Sequence, residues 1–213
     1  TMGAGIAEVM SKHYDEVVRD ISEEFVERGK NIITKSFEKS VSKERITADQ
    51  KDEYLGRLKF TTDVNELKDC DLIVEAASEN PEIKKSIFKE LCEICDEKTI
   101  LASNTSSISI TEIAAATERA DKVIGMHFFN PATVMKLVEL IQGLTTSDET
   151  VAKVKEITET IGKTPVEVKE APGFVVNRIL IPMISEGIFV LQEGLATPEG
   201  IDTAMKLGAN HPM

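Results

Sequence analysis

The chain has 213 residues, of which 41% are hydrophobic and 29% charged, a composition typical of folded globular proteins rather than disordered ones. Its 37 acidic and 25 basic residues give a formal net charge of −12. This acidity disfavours binding to nucleic-acid phosphates or anionic lipid, and no apolar run approaches the ~20 residues of a membrane-spanning helix. We therefore expect neither a nucleic-acid nor a membrane partner.

Short apolar segments alternate with helical patterns along most of the chain. In chain order, the patterns predict a helix over 2–10, a strand over 16–19, a helix over 22–43, a short helix capped by Thr47 and Gln50, a strand over 71–77, a helix beginning at Pro81, a strand over 99–103, a helix over 110–116, strands over 122–128 and 135–141, a helix from Ser147 to Gly162, and a strand over 166–168. Such alternation is typical of βαβ units. It predicts an α/β fold with a mostly parallel sheet.

The pattern changes at the Glu-Ala-Pro-Gly sequence of residues 170–173. Beyond it only helices are predicted, one over 174–195 with a kink at Pro182 and one beginning at Thr197. We therefore predict an α/β domain of residues 1–170, followed by the beginning of an all-α domain of residues 171–213. Two helices alone cannot bury their apolar faces, so we expect this second domain to be incomplete.

The cysteines, Cys70, Cys92 and Cys95, are too few for a disulfide framework. Cys92 and Cys95 form a C-x-x-C motif, a spacing found in redox pairs and zinc sites. A second pair of zinc ligands is missing from the sequence, and the acidic neighbours Glu93 and Asp96 would raise a thiol pKa. We interpret the motif as structural, expect no metal, and place the protein in the reducing cytoplasm.

The amino-terminal residues resemble half of a dinucleotide-binding fingerprint. Met2-Gly3-Ala4-Gly5 begins the first helix, and the next strand ends at Asp20. Gly3 would be the third glycine of the fingerprint, allowing helix and strand to pack closely. Asp20 would accept hydrogen bonds from a ribose and favour NAD over NADP. The first two glycines and their strand are absent from the chain, and small residues also serve helix packing, so both interpretations remain open.

His127 is the strongest candidate for acid–base chemistry in the sequence. It lies near the end of an apolar strand, where an open α/β sheet places its ligands, and Glu139 follows on the next strand. A neighbouring carboxylate would fix the imidazole tautomer and raise its basicity. A buried histidine with a solvent-facing glutamate is an equally good interpretation of these two residues alone.

Two further polar features have both a functional and a structural interpretation. The Ser-Asn-Thr-Ser-Ser run at 103–107 follows a strand and either binds a substrate oxygen or caps the next helix. Asn177 begins the long helix after the junction, next to the expected cleft between domains, or is an ordinary residue at a helix start.

A basic stripe is predicted on the long helix over 22–43. Lys35, Lys39 and Lys43 recur every four residues and therefore share one helix face, with Ser36 beside them. In a chain of net charge −12, this stripe would attract a phosphorylated ligand. A solvated surface is the simpler explanation of the charges alone.

Five longer motifs occur in order along the chain. They are Ile-Leu-Ala-Ser-Asn-Thr-Ser-Ser at 100–107, Gly-Met-His-Phe-Phe-Asn-Pro at 125–131, Met-Lys-Leu-Val-Glu at 135–139, Ala-Pro-Gly-Phe-Val-Val-Asn-Arg at 171–178, and Asp-Thr-Ala-Met-Lys-Leu-Gly-Ala at 202–209. Together they resemble the L-3-hydroxyacyl-CoA dehydrogenase family, in particular its stand-alone bacterial 3-hydroxybutyryl-CoA dehydrogenases. The resemblance implies a Rossmann-like NAD-binding domain, here without its first strand, followed by the start of a helical domain.

The resemblance also implies roles for individual residues. His127 matches the catalytic base and Glu139 the carboxylate that orients it, while Ser106 and Asn177 match the residues that hold the reacting oxygen. The implied NAD contacts are Gly3, Asp20, Glu79, Lys84, Ser106 and Asn130, and the implied coenzyme A contacts are Ser36, Lys43 and Ser106.

The implied activity is NAD-dependent oxidation of a short-chain (S)-3-hydroxyacyl-CoA to the 3-oxoacyl-CoA, or the reverse reduction of acetoacetyl-CoA, in butanoate and fatty-acid metabolism. The alternatives are a dehydrogenase of a free 3-hydroxy acid or of a different acyl chain, and a fragment that is folded but inactive or is stable only with a partner. Family members are usually homodimers and extend beyond both ends of this chain. We therefore expect the chain as given to be truncated, to bind NAD weakly and to aggregate.

Overall fold

The structure is a computed structural model that describes residues 2–212. The chain divides into two compact units, the first ending at Ala171 and the second beginning at Pro172. The first unit alternates strands and helices, and the second is helical. The expected combination of a Rossmann-like α/β fold with helices after it is thereby confirmed.

The first unit contains short strands and helices in near-regular alternation. The strands are β1 (Glu16–Arg19), β2 (Leu58–Thr61), β3 (Leu72–Glu75), β4 (Ile100–Ser103), β5 (Val123–Phe128), β6 (Leu137–Gln142) and β7 (Thr164–Lys169). The helices are α1 (Met2–Met10), α2 (Glu23–Ser42), α3 (Ala48–Gly56), α4 (Pro81–Ile94), α5 (Ile110–Ala114) and α6 (Asp148–Thr160), with 3-10 turns at Val64–Leu67 and Ala120–Lys122.

The strands form two sheets. β1 and β2 pair in parallel, and the larger sheet has the order β3-β4-β5-β6-β7. All neighbours in the larger sheet are parallel except β5 and β6, which are antiparallel. Because β3, β4 and β5 run in one direction, their carboxyl ends meet at one edge, where open α/β sheets place their ligands.

A continuous apolar core supports this edge. Every residue of β5 is buried, and Met126 packs in one cluster with Leu140 of β6, Val154 of α6 and Ile6 of α1. A strand buried on both faces reads as an uninterrupted apolar run, which is the pattern that predicted β5. This cluster therefore holds one face of β5 and β6 against α1 and α6.

Local capping explains several helix starts that the sequence predicts. The Ser22 hydroxyl accepts the Phe25 N–H at the start of α2, and Thr47 with Gln50 forms the predicted capping box of α3. Ser147 caps α6 in the same way. These side chains satisfy amide groups that a helix start otherwise leaves without partners.

Several strands differ from the predictions, β2 and β3 among them. β2 was not predicted, and β3 ends at Glu75 although a strand was predicted over 71–77. Beyond β3, the backbone N–H of Ala77 donates to the Glu75 carboxylate at 2.6 Å instead of to a neighbouring strand. The side chain of the last strand residue thus turns the backbone out of the sheet.

The second unit contains α7 (Val176–Gln192), which includes Pro182, and α8 (Pro198–Gly208). Thr197 caps α8, with its hydroxyl accepting the Gly200 N–H at 3.2 Å. Neither helix contains a buried residue. Among the described residues, no helix combines the length and the apolar character needed to cross a bilayer.

Candidate active site

His127 and Glu139 form the centre of the site. They are register partners on the antiparallel strands β5 and β6, so their side chains emerge side by side. His127 Nδ1 lies 2.9 Å from Glu139 Oε2, and both residues are buried. With Nδ1–H donating to the carboxylate, Nε2 is the nitrogen that can accept a proton. The structure therefore brings together the two residues that the sequence left as an open alternative.

Ser106 lies on the opposite side of the imidazole. Its Oγ is 3.1 Å from His127 Nε2, on the loop that follows β4. Ser106, His127 and Glu139 thus form one hydrogen-bonded series that ends at an exposed hydroxyl. A substrate hydroxyl or carbonyl placed beside Ser106 would be within reach of a base whose conjugate acid is stabilised by a carboxylate.

The Ser106 loop is fixed by Glu79. The Glu79 Oε1 atom accepts hydrogen bonds from the Thr105 hydroxyl at 2.5 Å, the Ser106 N–H at 3.0 Å, and the Ser107 N–H at 3.2 Å and hydroxyl at 3.0 Å. Partial burial raises the pKa of Glu79, but these hydrogen bonds and the charge of Lys84 outweigh it and hold the pKa below its usual value. Glu79 is therefore an ionised anchor of the loop.

The polar run at 103–107 serves capping and site formation together. Thr105 Oγ1 accepts the Ile108 N–H at 3.0 Å, which is a local turn contact. Asn104 Oδ1 accepts the Phe128 N–H at 2.8 Å and so joins this loop to the end of β5. Both interpretations of the run therefore apply, each to different residues of it.

Lys84 and Glu75 form a buried ion pair behind this loop. Lys84 is fully enclosed, and its Nζ lies 2.8 and 2.9 Å from the two Glu75 carboxylate oxygens. Sequence inspection missed Glu75. The available signal was an acid at the end of an apolar strand, followed nine positions later by a lysine on the next helix.

Gly3 and Asp20, two of the other residues expected at a dinucleotide site, line one cavity of the first unit. Gly3 at the start of α1, Asp20 after β1 and Ala76 after β3 all line this cavity of about 1230 Å³. The first turn of a helix carries N–H groups without intrahelical partners and a positive dipole end, and Asp20 is exposed, so these residues fit the pyrophosphate and ribose of a dinucleotide. Asn130, also exposed, follows β5 and precedes Pro131.

Two glycines at the start of α1 differ in the space around them. A Cβ atom at Gly3 would lie 3.7 Å from the Ala76 Cβ, an ordinary contact distance, whereas one at Gly5 would lie 3.3 Å from the Ala132 Cβ. The steric requirement for glycine is therefore stricter at Gly5, and the role of Gly3 in helix–strand packing stays a prediction.

The basic stripe is present on α2. Lys35, Lys39 and Lys43 are exposed, and no carboxylate within residues 2–212 forms an ion pair with them. The Ser36 hydroxyl is engaged within the protein, since it donates a hydrogen bond to the buried Glu8 carboxylate at 2.8 Å. Burial raises the pKa of Glu8, and the hydrogen bond from Ser36 opposes this shift.

Asn177 and the cysteines complete the predicted set. Asn177 lies in the first turn of α7 in the second unit, and is partly buried there. Cys92 and Cys95 are free thiols at the end of α4. Burial raises the pKa of Cys95 to about 11, which is the behaviour of a packed thiol rather than a reactive one.

Comparison with known proteins agrees with this geometry. Residues 1–171 match the family model for the 3-hydroxyacyl-CoA dehydrogenase NAD binding domain, and residues 173–213 match the one for the C-terminal domain. The chain belongs to the 3-hydroxyacyl-CoA dehydrogenase family. This membership confirms the expected NAD-dependent oxidoreductase acting on CH–OH groups, and it does not favour the inactive-fragment alternative.

Relatives within the 3-hydroxyacyl-CoA dehydrogenase family are 46–52% identical to this chain over its whole length. A probable 3-hydroxybutyryl-CoA dehydrogenase of Deinococcus radiodurans is 52% identical, over all of this chain and 76% of its own length. The 3-hydroxyadipyl-CoA dehydrogenase of Escherichia coli is 46% identical, over all of this chain and 45% of its own length. A crystal structure of (S)-3-hydroxybutyryl-CoA dehydrogenase from Ralstonia eutropha superposes with a TM-score of 0.97 at 51% identity, covering all of this chain and 75% of that one.

Proposed function

We propose that this family member interconverts short-chain (S)-3-hydroxyacyl-CoA and 3-oxoacyl-CoA with NAD, with 3-hydroxybutyryl-CoA and acetoacetyl-CoA as its pair of substrates. The observation that carries the proposal is the series Ser106–His127–Glu139, with spacings of 3.1 and 2.9 Å, at the ligand edge of an NAD-binding domain. The proposal of 3-hydroxybutyryl-CoA in particular rests on similarity, since relatives that are 52% and 51% identical to this chain are named 3-hydroxybutyryl-CoA dehydrogenases.

His127 acts as the base in the oxidation direction. Its Nε2 accepts the proton of the substrate 3-hydroxyl, and the Glu139 carboxylate stabilises the resulting imidazolium through Nδ1–H. The Ser106 hydroxyl, which lies at Nε2 in this structure, donates to the same substrate oxygen. For Asn177, the role of a second group that holds this oxygen is proposed from the family resemblance alone. NAD, when bound, supplies the nicotinamide that accepts the hydride from the carbon bearing the 3-hydroxyl. In reverse, protonated His127 polarises the 3-keto group.

The residues that contact the cofactor and the substrate are proposed from the family resemblance. Gly3 and Asp20 take the pyrophosphate and adenosine ribose of NAD, and Glu79, Lys84 and Asn130 shape the part of the site near the nicotinamide. The residues assigned to coenzyme A are Ser36, Lys43 and Ser106. The lysines of the basic stripe form no ion pair within residues 2–212, and this supports the proposal of a ligand with phosphate groups. Their positive charges would raise the local concentration of such a ligand.

We further propose that the protein works in the cytoplasm as a homodimer, without nucleic-acid or membrane partners. The net charge of −12 and the free cysteines support the compartment and the absence of polyanionic partners. The exposed apolar side chains of α7 support self-association through the helical unit. Light scattering of the complete natural polypeptide would give twice the protomer mass, and a monomer would contradict the dimer.

Acetoacetyl-CoA-dependent oxidation of NADH, followed by absorbance, tests the proposed reaction. The complete natural polypeptide is expected to turn over, and His127→Gln is expected to lose at least about 100-fold in kcat because the base is removed. His13→Gln is the matched control, since His13 is exposed after α1. Acetoacetate in place of the thioester separates the free-acid alternative.

The outcomes distinguish the proposals. Turnover of the thioester that disappears only in His127→Gln supports the assignment. Turnover of acetoacetate with equal efficiency would replace it with the free-acid dehydrogenase. Absence of both activities would overturn the proposed function.

A further inference from the structure

The ion pair of Glu75 and Lys84 is almost completely removed from solvent. The side chains are 3% and 1% exposed, and Lys84 Nζ lies 2.8 and 2.9 Å from the two Glu75 oxygens. Burying two charges has a large desolvation cost, and an apolar pair of the same volume is often at least as stable. The presence of this pair therefore calls for an explanation other than fold stability.

Glu75 is itself held rigidly. Besides Lys84, its carboxylate accepts the Ala77 N–H at 2.6 Å and the Ser103 hydroxyl at 2.7 Å, and Glu75 and Ser103 are register partners at the ends of β3 and β4. A carboxylate with this many donors has little freedom to move. It therefore sets the position of the lysine ammonium relative to the carboxyl edge of the sheet.

The fixed ammonium faces the anchor of the active-site loop. Lys84 Nζ is 3.6 Å from Glu79 Oε2, and within residues 2–212 Lys84 is the cation paired with Glu79. The Glu79 side chain is 42% exposed, so burial alone does not hold it in place. Its other oxygen accepts the N–H of Ser106, whose hydroxyl is 3.1 Å from His127 Nε2.

We propose that Glu75 is a positioning residue of this active site. It holds Lys84 against Glu79, and Glu79 in turn keeps the 105–107 loop where the Ser106 hydroxyl meets His127. Lys84 thus influences the site through Glu79 and from a buried position. The inference rests on the proposed function for its effect on turnover, but the loop contacts that it explains exist independently of that function.

A double-mutant cycle in the complete natural polypeptide tests the coupling. Glu75→Gln is expected to lower kcat for acetoacetyl-CoA reduction about 10- to 100-fold, with a KM change below about threefold, because the loop is displaced while the proposed coenzyme A contacts of Ser36 and Lys43 remain. In a Lys84→Met background, the same change is expected to cost less than about threefold, since the charge that Glu75 positions is gone. Glu82→Gln at an exposed position and Lys85→Met at a partly buried one remove the same charges from neighbouring positions of α4 and serve as controls.

Amide hydrogen exchange gives a readout that does not require turnover. In Glu75→Gln, the Ser106 and Ser107 amides are expected to exchange about tenfold faster, while the amides of β6 keep the exchange rates of the unsubstituted protein. The charge-balanced Glu75→Gln/Lys84→Met variant checks that loss of the pair does not unfold the chain.

Three results would overturn the inference: unchanged kcat and loop exchange in Glu75→Gln, an equal cost of Glu75→Gln in both backgrounds, or faster exchange throughout the sheet. If the unsubstituted protein has no turnover, the proposed function fails, and the exchange experiment alone decides whether Glu75 positions the loop.

Discussion

Glu139 and Glu16 are two poorly exposed carboxylates of the first unit with opposite surroundings. Glu139 lies 2.9 Å from the His127 imidazole and can stabilise a positive charge there. No donor within residues 2–212 reaches Glu16 Oε1, and burial raises the pKa of Glu16 to about 8. The first carboxylate is suited to act as an anion in proton transfer, and the second is suited to remain protonated at neutral pH.

Replacing the charge of Glu139 tests its role beside His127. Glu139→Gln keeps the shape and can still accept the Nδ1–H, but it cannot stabilise an imidazolium electrostatically. We expect kcat to fall on the order of 100-fold, with KM changed little. Glu167→Gln, which alters an exposed ion pair on β7, is the matched control. A kcat within threefold of the unsubstituted enzyme would show that the pair does not assist proton transfer.

Glu16 predicts an unusual pH dependence of stability. Its pKa is near 4.5 when unfolded and about 8 when folded, so the folded chain binds the proton more tightly and loses stability as the pH rises through this window. Glu16→Gln removes the titration. It is expected to raise the free energy of unfolding of the chain by about 1–3 kcal/mol at pH 8 and by less at pH 5. Urea denaturation at both pH values measures this, with Glu38→Gln on α2 as the control. An equal effect at both pH values would contradict the assignment.

At the scale of elements, α1 is fastened at the end opposite to Gly3. Nη1 of Arg57 donates to the carbonyl groups of Ser11 at 3.3 Å and Lys12 at 2.7 Å, which follow the last turn of α1. Nη2 of the same side chain donates to Glu53 on α3 at 2.6 Å. One guanidinium thereby joins α1 to α3, and this fixes the helix whose amino end lines the proposed cofactor cavity.

Removing this guanidinium should loosen α1. Arg57→Ala loses hydrogen bonds from a charged donor to two carbonyl groups and one carboxylate, and we expect the free energy of unfolding to fall by about 1–3 kcal/mol. Thermal denaturation followed by circular dichroism measures the change. Arg45→Ala, at an exposed position after α2, is the control. If Arg57→Ala and Arg45→Ala melt at the same temperature, the contact does not stabilise α1.

The sequence predicted elements well where caps and periodicity agree. Ser22, Thr47, Pro81 and Ser147 mark helix starts that the structure confirms, since each acts locally. β2 was missed because its four residues, Leu-Lys-Phe-Thr, are too short and too mixed to signal a strand, and pairing with β1 decides the structure there.

The site was harder to predict because it depends on pairing between distant residues. His127 and Glu139 meet only because β5 and β6 are antiparallel in one register, and a shift by one residue would turn one side chain to the other face. The role of Glu75 depends on its contact with Lys84, which lies on the following helix, α4. Family resemblance pointed to the first pair, and neither composition nor periodicity pointed to the second.

At the scale of the whole molecule, charge and apolar surface are distributed unevenly. The first unit buries a continuous core, whereas α7 presents side chains that are more than half exposed. They are Ile179, Ile181, Ile184, Ile188 and Phe189. Ile181, Ile184 and Ile188 follow at spacings of three and four, so they share one helix face. An exposed apolar face of this kind favours association with other apolar surfaces in water.

This face predicts the behaviour of the chain of 213 residues in solution. We expect it to self-associate at micromolar concentrations, and we expect Ile184→Glu/Ile188→Glu to reduce association by placing carboxylates on the apolar face. Sedimentation velocity over a concentration series measures both. Ile21→Glu/Leu144→Glu adds the same two charges at exposed apolar residues of the first unit and controls for net charge alone. A chain that stays monomeric, or one that associates equally with and without the α7 substitutions, would show that this face does not drive association.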